Sequence, residues 1–481
     1  KLSNMQAYFD EVRRAVDKRI IGGDDYCRLL IGANQAGFTP LHDALKSGNP
    51  DNMRAYFDEV KRAVAKKSIK VDEYCQLLIG ANQAGFTPLH SALKSGNPDN
   101  MRTYLDEVRL AVDKKAIKTD NYRRILIGAN QAGFTPLHEA LISGNPDNMR
   151  AYFDEVRRTA DKKIIEGSDY RELLIGANQA GFTPLHQALI SGNPDNMCAY
   201  FEEARRAVDK KTIKVDDYRQ LLMGANQAGF TPLHSALQSG HPENMRVYFD
   251  EVKRAVEKEI IKAVDYRQLL IGENRAGFTP LHDALKSGNP DNLHTYLSKS
   301  KHAVEQKVLT EDDYRELLIK PNHAGFTPLH QAANSGNLNI TRIFFEELTR
   351  IRSKETVYRC LTTRAKGHQP SCQVRGDKPQ ADEINAYLRQ QRETLSRYGN
   401  AREVPRAYYP DNQGDTRTNR KRGNNGDDYP SKNHHDAQAG SSRDALFGAS
   451  RYHRDSDGLR ENQSRHPSDA FARLGAPTNH L

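Results

Sequence analysis

A repeat of 48 residues constrains the fold of this 481-residue chain more than any other feature of its sequence. The hexapeptide Gly-Phe-Thr-Pro-Leu-His recurs at that constant spacing, beginning at Gly37, Gly85, Gly133, Gly181, Gly229, Gly277 and Gly325. The likeness extends beyond the hexapeptide, since NPDNMRAYFDEV occurs both from Asn49 and from Asn145. A fixed period of roughly 20–50 residues is typical of chains that stack one supersecondary unit many times. The sequence therefore predicts a stacked array.

Each unit carries the signals of three helices. Thr87 and Pro88 open the first helix, because threonine is a good N-cap and proline fits the first helical turn. Asn49, also followed by proline, opens the second. A third helix begins near Asp72 and ends at Gly80. Apolar residues recur with helical spacing and alternation of period two is absent, so the prediction is an all-α solenoid.

The path of the third helix has two solutions at this stage. If the three helices are antiparallel, a connector of about seven residues must return from the end of the third helix to the start of the next unit. Such a connector reaches at most ~25 Å when extended. A third helix that lies crosswise removes this demand and is the preferred prediction.

The ends of the chain differ from its repetitive body. We divide the chain into a partial N-terminal repeat at 1–36, a repeat array at 37–350, a C-terminal cap and helix at 351–399, and a disordered basic tail at 400–481. Because Lys1 aligns with Asn49, the first unit lacks its Thr-Pro-Leu-His segment, and we expect an upstream piece to be missing. An amphipathic helix is predicted at 381–398. The tail has too few apolar residues to offset its ordering entropy.

The net charge of +9 belongs mainly to the C-terminal part. Residues 351–481 carry 23 Lys and Arg against 16 Asp and Glu, so the repetitive body is nearly neutral and is not expected to bind nucleic acid. No apolar run approaches the ~20 residues of a membrane span. The five cysteines are too scattered for a disulfide framework. These features favour a cytoplasmic protein in a reducing compartment.

The repeat resembles the ankyrin repeat over residues 30–350. The resemblance lies in Thr-Pro-Leu-His-x-Ala after a glycine, then Gly-Asn, then Leu-Leu-x-Gly-Ala-Asn before the next motif. The ankyrin unit has ~33 residues, so each unit here has about 15 more, which we expect to lengthen the second helix and form the third. The resemblance implies protein binding along a concave face, without catalysis or cofactor. Long, nearly identical arrays with a polar basic tail also resemble effectors that intracellular bacteria secrete into host cells.

Residues with reactive side chains do not form a catalytic or metal-binding pattern. The motif histidines would stand ~8–10 Å apart in stacked helices, far beyond a shared ion with bonds near ~2 Å. We predict instead that each holds its helix start together by a hydrogen bond. Acidic pairs such as Asp216-Asp217 and Asp312-Asp313 stand where third helices begin, which favours capping. No phosphate-binding, dinucleotide or hydrolase motif occurs, so no enzyme, cofactor, metal or small-molecule substrate is predicted.

Two positions of the first helix vary between units while the residues around them repeat. The earlier position holds Asp43, Ser91, Glu139, Gln187, Ser235, Asp283 and Gln331. Three residues later stand Lys46, Lys94, Ile142, Ile190, Gln238, Lys286 and Asn334. Residues three apart share a helical face, so the two positions form a stripe of mixed charge with an apolar centre. Because a buried position copied with the repeat should keep its residue, we expect an exposed stripe that contacts a protein partner. Neutral surface variation is the alternative.

The connectors between units end in tips that change towards the C-terminal end. Glutamine stands at the tip in the earlier units, and Arg275 and His323 replace it in the later ones. Tips are the first part of an ankyrin-like stack within reach of a ligand, so both residues join the predicted partner-binding set.

The leading hypothesis is therefore a non-catalytic scaffold for a protein partner. Two alternatives stay open on the sequence. The array would serve a larger enzyme if a catalytic domain lies outside this chain. Nucleic-acid binding would require the arginine-rich tail to act, and binding would then weaken steeply with salt.

Overall fold

Each 48-residue unit folds into three helices, because its apolar residues share one face of each segment and capping residues mark the ends. The computed structural model describes residues 4–364, 374 and 378–399. Their helices fall within one compact unit spanning residues 1–399. These described residues form 24 α-helices and no β-strand. The predicted all-α solenoid is therefore confirmed.

The helices of equal position in the unit have nearly equal bounds. The short first helices are α3 (Pro40–Lys46), α6 (Pro88–Lys94), α9 (Pro136–Ser143), α12 (Pro184–Ser191), α15 (Pro232–Ser239), α18 (Pro280–Lys286) and α21 (Pro328–Asn334). The long second helices are α1 (Asn4–Asp17), α4 (Pro50–Ala65), α7 (Pro98–Asp113), α10 (Pro146–Asp161), α13 (Pro194–Asp209), α16 (Pro242–Glu257), α19 (Pro290–Glu305) and α22 (Leu338–Ile351). The third helices are α2 (Gly23–Ile31), α5 (Val71–Ile79), α8 (Thr119–Ile127), α11 (Gly167–Ile175), α14 (Val215–Met223), α17 (Ala263–Ile271), α20 (Glu311–Leu317) and α23 (Lys354–Thr362).

Helices of the same kind stack against each other from unit to unit. First helices pack side by side from α3 to α21, and second helices do so from α1 to α22. A third helix such as α8 contacts the second helix of its own unit, α7, and the first helix of the next, α9. One continuous apolar core runs through the stack. A single unit cannot bury its apolar face alone, so each depends on its neighbours for stability.

A capping side chain fixes the start of most second helices and ties it to the preceding unit. Oδ1 of Asn97 accepts hydrogen bonds from the backbone N–H groups of Asp99, at 2.9 Å, and Asn100, at 3.3 Å. Pro98 follows at the first helical position, where no donor is needed. Nδ2 of Asn97 donates to the carbonyl oxygen of Gly48 in the preceding unit, at 2.7 Å. The cap is therefore also a contact between units.

The motif histidine links six of the seven first helices to the next unit. Nδ1 of His90 accepts the backbone N–H of its cap residue Thr87 at 3.2 Å, and Nε2 lies 3.1 Å from the carbonyl oxygen of Phe134. An accepting Nδ1 places the ring proton on Nε2, which donates to that carbonyl. The same Nε2 contact recurs at His42, His138, His186, His234 and His282. The predicted hydrogen bond at the helix start is confirmed, and the link to the next unit is added to it.

Tyrosines of the second helices fasten the third helices. The Tyr104 hydroxyl donates to the carbonyl oxygen of Leu78 at 2.7 Å, in the last turn of α5. Carbonyls of a last helical turn have no partner within the helix, so this bond satisfies one of them. Equivalent bonds are made by Tyr56, Tyr152, Tyr200, Tyr248 and Tyr296. Six of the eight third helices are thus held by the unit that follows them.

Two of the three predicted acidic pairs at the starts of third helices serve as caps, whereas the third, Asp24-Asp25 of α2, makes no side-chain capping bond within the described chain. Oδ2 of Asp217 accepts the backbone N–H of Lys214 at 2.9 Å, and Asp313 does the same for Thr310 at 3.0 Å. Asp313 also pairs with Arg267 of the preceding third helix at 2.6 Å. Hydrogen bonding from Arg267 is the largest influence on the pKa of Asp313, and together with the bonds from Thr310 it outweighs burial and lowers that pKa to about 2.

A final helix, α24 (Ala381–Gly399), covers the C-terminal end of the array. It packs against α22 and α23. Its own Ile384 and Leu388 are fully buried, and the rings of Phe345 and Tyr387 meet edge to face at 5.9 Å. The amphipathic helix predicted at 381–398 is therefore present. The predicted disordered tail at 400–481 lies outside the described residues. No helix within the described ranges is long and apolar enough to cross a membrane.

We expect the array to lose stability as the pH falls from about 6.5 towards 4. Burial lowers the pKa of His90, His138, His186, His234 and His282 to about 4, from an ordinary value of 6.5. In that window the unfolded chain binds more protons than the folded chain, so acid favours unfolding. For each unit by which burial lowers its pKa, each histidine reduces the free energy of unfolding at acid pH by up to about 1.4 kcal/mol. Urea midpoints measured at pH 7.5, 6 and 5 should fall in that order. An unchanged midpoint would contradict the neutral, buried imidazoles, and replacing the exposed His323 with asparagine should leave the pH dependence unaltered.

Candidate protein-binding surface

The tips of the connectors are small, rigid hairpin turns. Oδ1 of Asn82 accepts the backbone N–H groups of Ala84 and Phe86, at 3.0 and 2.9 Å. Gly85 between them has a φ of +82°, and a Cβ there would stand 2.8 Å from the backbone nitrogen of Gln131 in the next tip. The N–H of Gln131 donates to the Ala84 carbonyl oxygen at 3.0 Å. The glycine therefore permits the backbone contact that stacks one tip on the next.

The last turns of the first helices present a row of side chains that differs from unit to unit. This first-helix row consists of Lys46, Lys94, Ile142, Ile190, Gln238, Lys286 and Asn334. Lys46, Ile142 and Lys286 are exposed, and the other four are half-buried. Ile142 keeps 38% of its surface accessible, so it is an exposed apolar residue near the middle of the array. Packing of first helices side by side brings these equal positions into one line.

The prediction that the whole stripe is exposed is wrong, because the earlier variable position of the first helix is mostly buried. Ser91, Glu139, Ser235 and Asp283 are buried, and Gln187 and Gln331 are half-buried. This position faces the preceding first helix, since the positive charge of Lys94 on α6 acts to lower the pKa of Glu139 on α9. Asp43 alone of the seven is exposed, because no first helix precedes α3 in the described chain. Burial here comes from a neighbouring unit, and this packing tolerates serine, glutamine and carboxyl side chains.

Two carboxyl groups are buried at this position without a matching charge-assisted hydrogen bond. Burial raises the pKa of Glu139 to about 7, and the charge of Lys94 opposes the rise. Burial likewise raises the pKa of Asp283 to about 7, with Lys286 on the same helix opposing it. One oxygen of Asp283, Oδ2, is buried without a hydrogen-bond partner. Near neutral pH these groups exchange protons between a neutral and a charged form.

The basic tips at the C-terminal end carry an acidic neighbour that the sequence interpretation missed. Arg275 and His323 are exposed, as predicted. Glu273 stands where the five preceding units have alanine, and it pairs with Lys320 at 3.2 Å and lies 4.0 Å from Nε2 of His323. The break of the repeated Gly-Ala-Asn into Gly-Glu-Asn was the signal available in the sequence. The charge of these tips is therefore mixed.

The motif histidines do not belong to a reactive site. In six of the seven, Nδ1 is used by the cap and Nε2 by the next unit, as described above. Within the residues that the structure describes, no group of three His, Cys, Asp or Glu side chains is placed to hold a metal ion. What this surface offers is a line of exposed side chains on rigid helices and tips, which suits recognition.

Comparison with solved structures finds similarity to ankyrin repeat domains. No protein-family model and no curated protein matches the chain. The chain is similar to the ankyrin repeat domain of human ASB11, with 15% identity, a TM-score of 0.33, and coverage of 64% of this chain and 98% of that one. It is also similar to the ankyrin repeat domain of Bcl-3, with 19% identity, a TM-score of 0.33, and coverage of 61% and 94%. Overlays of this quality carry no argument about function. The resemblance to ankyrin repeats stands on the motif, helices and tips.

Replacing Glu139 with glutamine, the residue of the next unit, should stabilise the array above pH 7. The pKa of Glu139 is raised from 4.5 to about 7 in the folded chain, so the folded state binds this proton more tightly. Its contribution to stability is greatest at low pH and is lost as the pH rises from 4.5 through 7. Glutamine removes that loss, which amounts to about 1–3 kcal/mol at pH 8. Urea unfolding at pH 5 and pH 8 measures it.

The matched control for this substitution is Asp43→Asn. Asp43 occupies the same position of its unit but is exposed, so its replacement should change the urea midpoint little at either pH. Equal effects of the two substitutions at pH 8 would show that burial of Glu139 is not the cause.

Proposed function

We propose that the array is a non-catalytic scaffold that binds a protein partner along the first-helix row and the connector tips. The supporting observation is where the first helices differ. Their leucines, alanines and histidines repeat and are buried, whereas the row changes from lysine to isoleucine to glutamine and is accessible. Repetition of the buried contacts maintains one rigid frame, and variation of the row gives each unit its own side chain for recognition.

The dimensions of the row favour a macromolecular partner. Neighbouring helices lie ~10 Å apart, so seven first helices present side chains over a length on the order of 60 Å. A metabolite would contact only one or two units of such a surface. A folded protein or an extended peptide contacts several, and rigid presentation lowers the entropy lost on binding. In an ankyrin-like stack this face would be the concave one.

The centre of the row supplies the expected anchor. Ile142 and Ile190 stand next to each other in the row, with Lys94 on one side and Gln238 on the other. A few buried apolar anchors carry most of the affinity of typical protein interfaces, and polar residues around them exclude water. Arg275 and His323 at the tips would extend the contact towards the C-terminal end and contribute more to specificity.

The proposal includes the setting in which the protein acts. Among the described residues, Cys27, Cys75 and Cys198 are free thiols, and this supports a reducing cytoplasmic compartment. The looser resemblance to bacterial effectors, which rests on the near-identical array and the polar basic tail, supports secretion into a host cell.

Substituting aspartate for both Ile142 and Ile190 should reduce partner capture at least tenfold without lowering Tm. The two side chains lie on the accessible row, so a charge there weakens an apolar contact while leaving the core intact. The tagged full chain and the variant are compared in quantitative capture from host-cell lysate, followed by titration with the purified partner. Val264→Asp is the matched control, because Val264 is 68% exposed on the third helix α17, away from the row.

Three outcomes distinguish the possibilities. Loss of capture with an unchanged Tm supports the row as the binding surface. Capture equal to that of the unaltered chain excludes Ile142 and Ile190 from the interface. A fall in Tm shows that the two isoleucines stabilise the fold, and the row then requires testing at Lys94 and Gln238 instead.

A further inference from the structure

A buried glutamate recurs on the second helices and is held by the preceding unit. Glu155 accepts hydrogen bonds from Arg109 of α7, at 3.1 Å, and from the hydroxyl of Tyr122 of α8, and Arg158 on its own helix binds it at 2.6 Å. We call such a set a glutamate rung. Hydrogen bonds from Arg158 and Tyr122 outweigh burial and lower the pKa of Glu155, so it is charged.

The same rung recurs along the array. The glutamates are Glu59, Glu107, Glu155, Glu203, Glu251 and Glu347. Each is bound by a lysine or arginine 46 residues earlier and by a tyrosine 33 residues earlier. At the last rung, Glu347 accepts from Lys301 and Tyr314, both at 2.8 Å. A basic side chain together with a tyrosine hydroxyl is therefore this fold's repeated way of holding a carboxylate.

One rung lacks its glutamate and keeps the residues that would hold it. Lys299 occupies the glutamate position on α19. Lys253 stands 46 residues earlier and Tyr266 stands 33 residues earlier, and His302 takes the place of the arginine three residues later. The chain thus places two lysines, a tyrosine and a histidine at this rung and no carboxylate of its own.

Among the described residues, the two lysines and the tyrosine of this broken rung have no strong partner, whereas Nδ1 of His302 lies 3.1 Å from Oε2 of Glu305 on its own helix. The hydroxyl of Tyr266 makes no hydrogen bond there, whereas the tyrosines of the other rungs bond a glutamate. Lys253 pairs only with Glu257 on its own helix, at 3.7 Å with both side chains exposed, which is a weak interaction. Nζ of Lys299 lies 5.7 Å from the centre of the Phe249 ring. Lys253 and His302 are exposed and Lys299 is half-buried, so a ligand can reach them.

A cleft continues from the broken rung towards the next second helix. Its volume is about 730 Å³, and it lies between α19 and α22. Leu297 and Ile343 supply apolar surface, Lys299 and His302 join it to the rung, and Glu346 stands on its far wall. The volume is within the ~300–1,000 Å³ of sites that bind small ligands or peptide side chains.

We propose that the broken rung binds an acidic side chain of a protein partner, whose carboxylate takes the place of the missing glutamate. Charge-assisted hydrogen bonds from lysine and tyrosine would hold it as they hold the six internal glutamates. An apolar residue next to it would enter the cleft against Leu297 and Ile343. This surface lies on the second helices, so the inference does not depend on the first-helix row.

A carboxylate fits this surface better than a nucleic-acid backbone does. Besides Glu346, the cleft is lined by Glu305 and Glu347. Because Lys301 and Arg350 bind Glu347, the repulsion of a run of phosphates comes from Glu305 and Glu346, whereas a single carboxylate at the rung avoids it. The basic donors are also matched in number to one or two acidic groups.

Fluorescence anisotropy of labelled probes with the full chain tests the proposal. The probes are the peptide Glu-Leu-Glu-Glu-Leu-Glu, its counterpart with every glutamate replaced by glutamine, and an oligothymidylate. The acidic peptide should bind at least tenfold more tightly than the glutamine peptide. Lys299→Glu should repair the rung from within, abolish that preference and raise Tm, because the new carboxylate meets Lys253 and Tyr266. Lys307→Glu, an equal change of charge at an exposed turn, should alter neither quantity.

Each alternative result would overturn the proposal. Equal binding of the acidic peptide by the unaltered chain and by Lys299→Glu would place the acidic ligand elsewhere. If Lys307→Glu weakened binding of the acidic peptide as much as Lys299→Glu does, the peptide would be held by nonspecific attraction to the net charge. Tighter binding of the oligothymidylate, lost on Lys299→Glu, would identify a nucleic-acid site. Failure here leaves the Ile142 and Ile190 test untouched, since that test concerns a different set of helices.

Discussion

The array depends on a buried, neutral imidazole that serves two units at once. Nδ1 of His90 satisfies the start of its own helix and Nε2 satisfies a carbonyl oxygen of the next unit. A buried polar group left without a hydrogen-bond partner lowers stability by about 1–3 kcal/mol. The imidazole therefore stabilises the array most when both units are folded and both ring nitrogens are bonded. Burial in turn keeps the ring neutral and its tautomer fixed. The link therefore couples local helix capping to stacking, and the stack extends through the array because the link is repeated.

A rigid interior of this kind separates the contacts that maintain the stack from the side chains available for recognition. Tyr104, Asn97 and His90 contact neighbouring units, and their equivalents recur with little change. The first-helix row varies because it contributes little to those contacts. A row of side chains on a fixed frame can then contact one extended partner through several units, with little ordering of the array on binding.

Repetition also makes a single departure informative. Lys299 would attract no attention in an ordinary helix, but here six equivalent positions hold a glutamate bound by lysine or arginine and by tyrosine. Replacing an anion by a cation while keeping the surrounding donors costs stability, because Lys253 and Tyr266 lose their partner. That loss is offset when a carboxylate arrives from outside the chain. The broken rung and the first-helix row are thus the two separate surfaces proposed to bind a partner.

The sequence by itself determined the repeat, its three helices, their caps and the hydrogen-bonding role of the motif histidines, since these follow from local spacing and from residue chemistry within one unit. It also placed Ile142 on an accessible position. Only the tertiary structure decided that Ser91, Glu139, Ser235 and Asp283 are buried, because a neighbouring unit covers them and no pattern within one helix reports that contact. The partnership of Glu155 with residues 46 and 33 positions earlier was hidden for the same reason: such contacts exist only once the units are stacked.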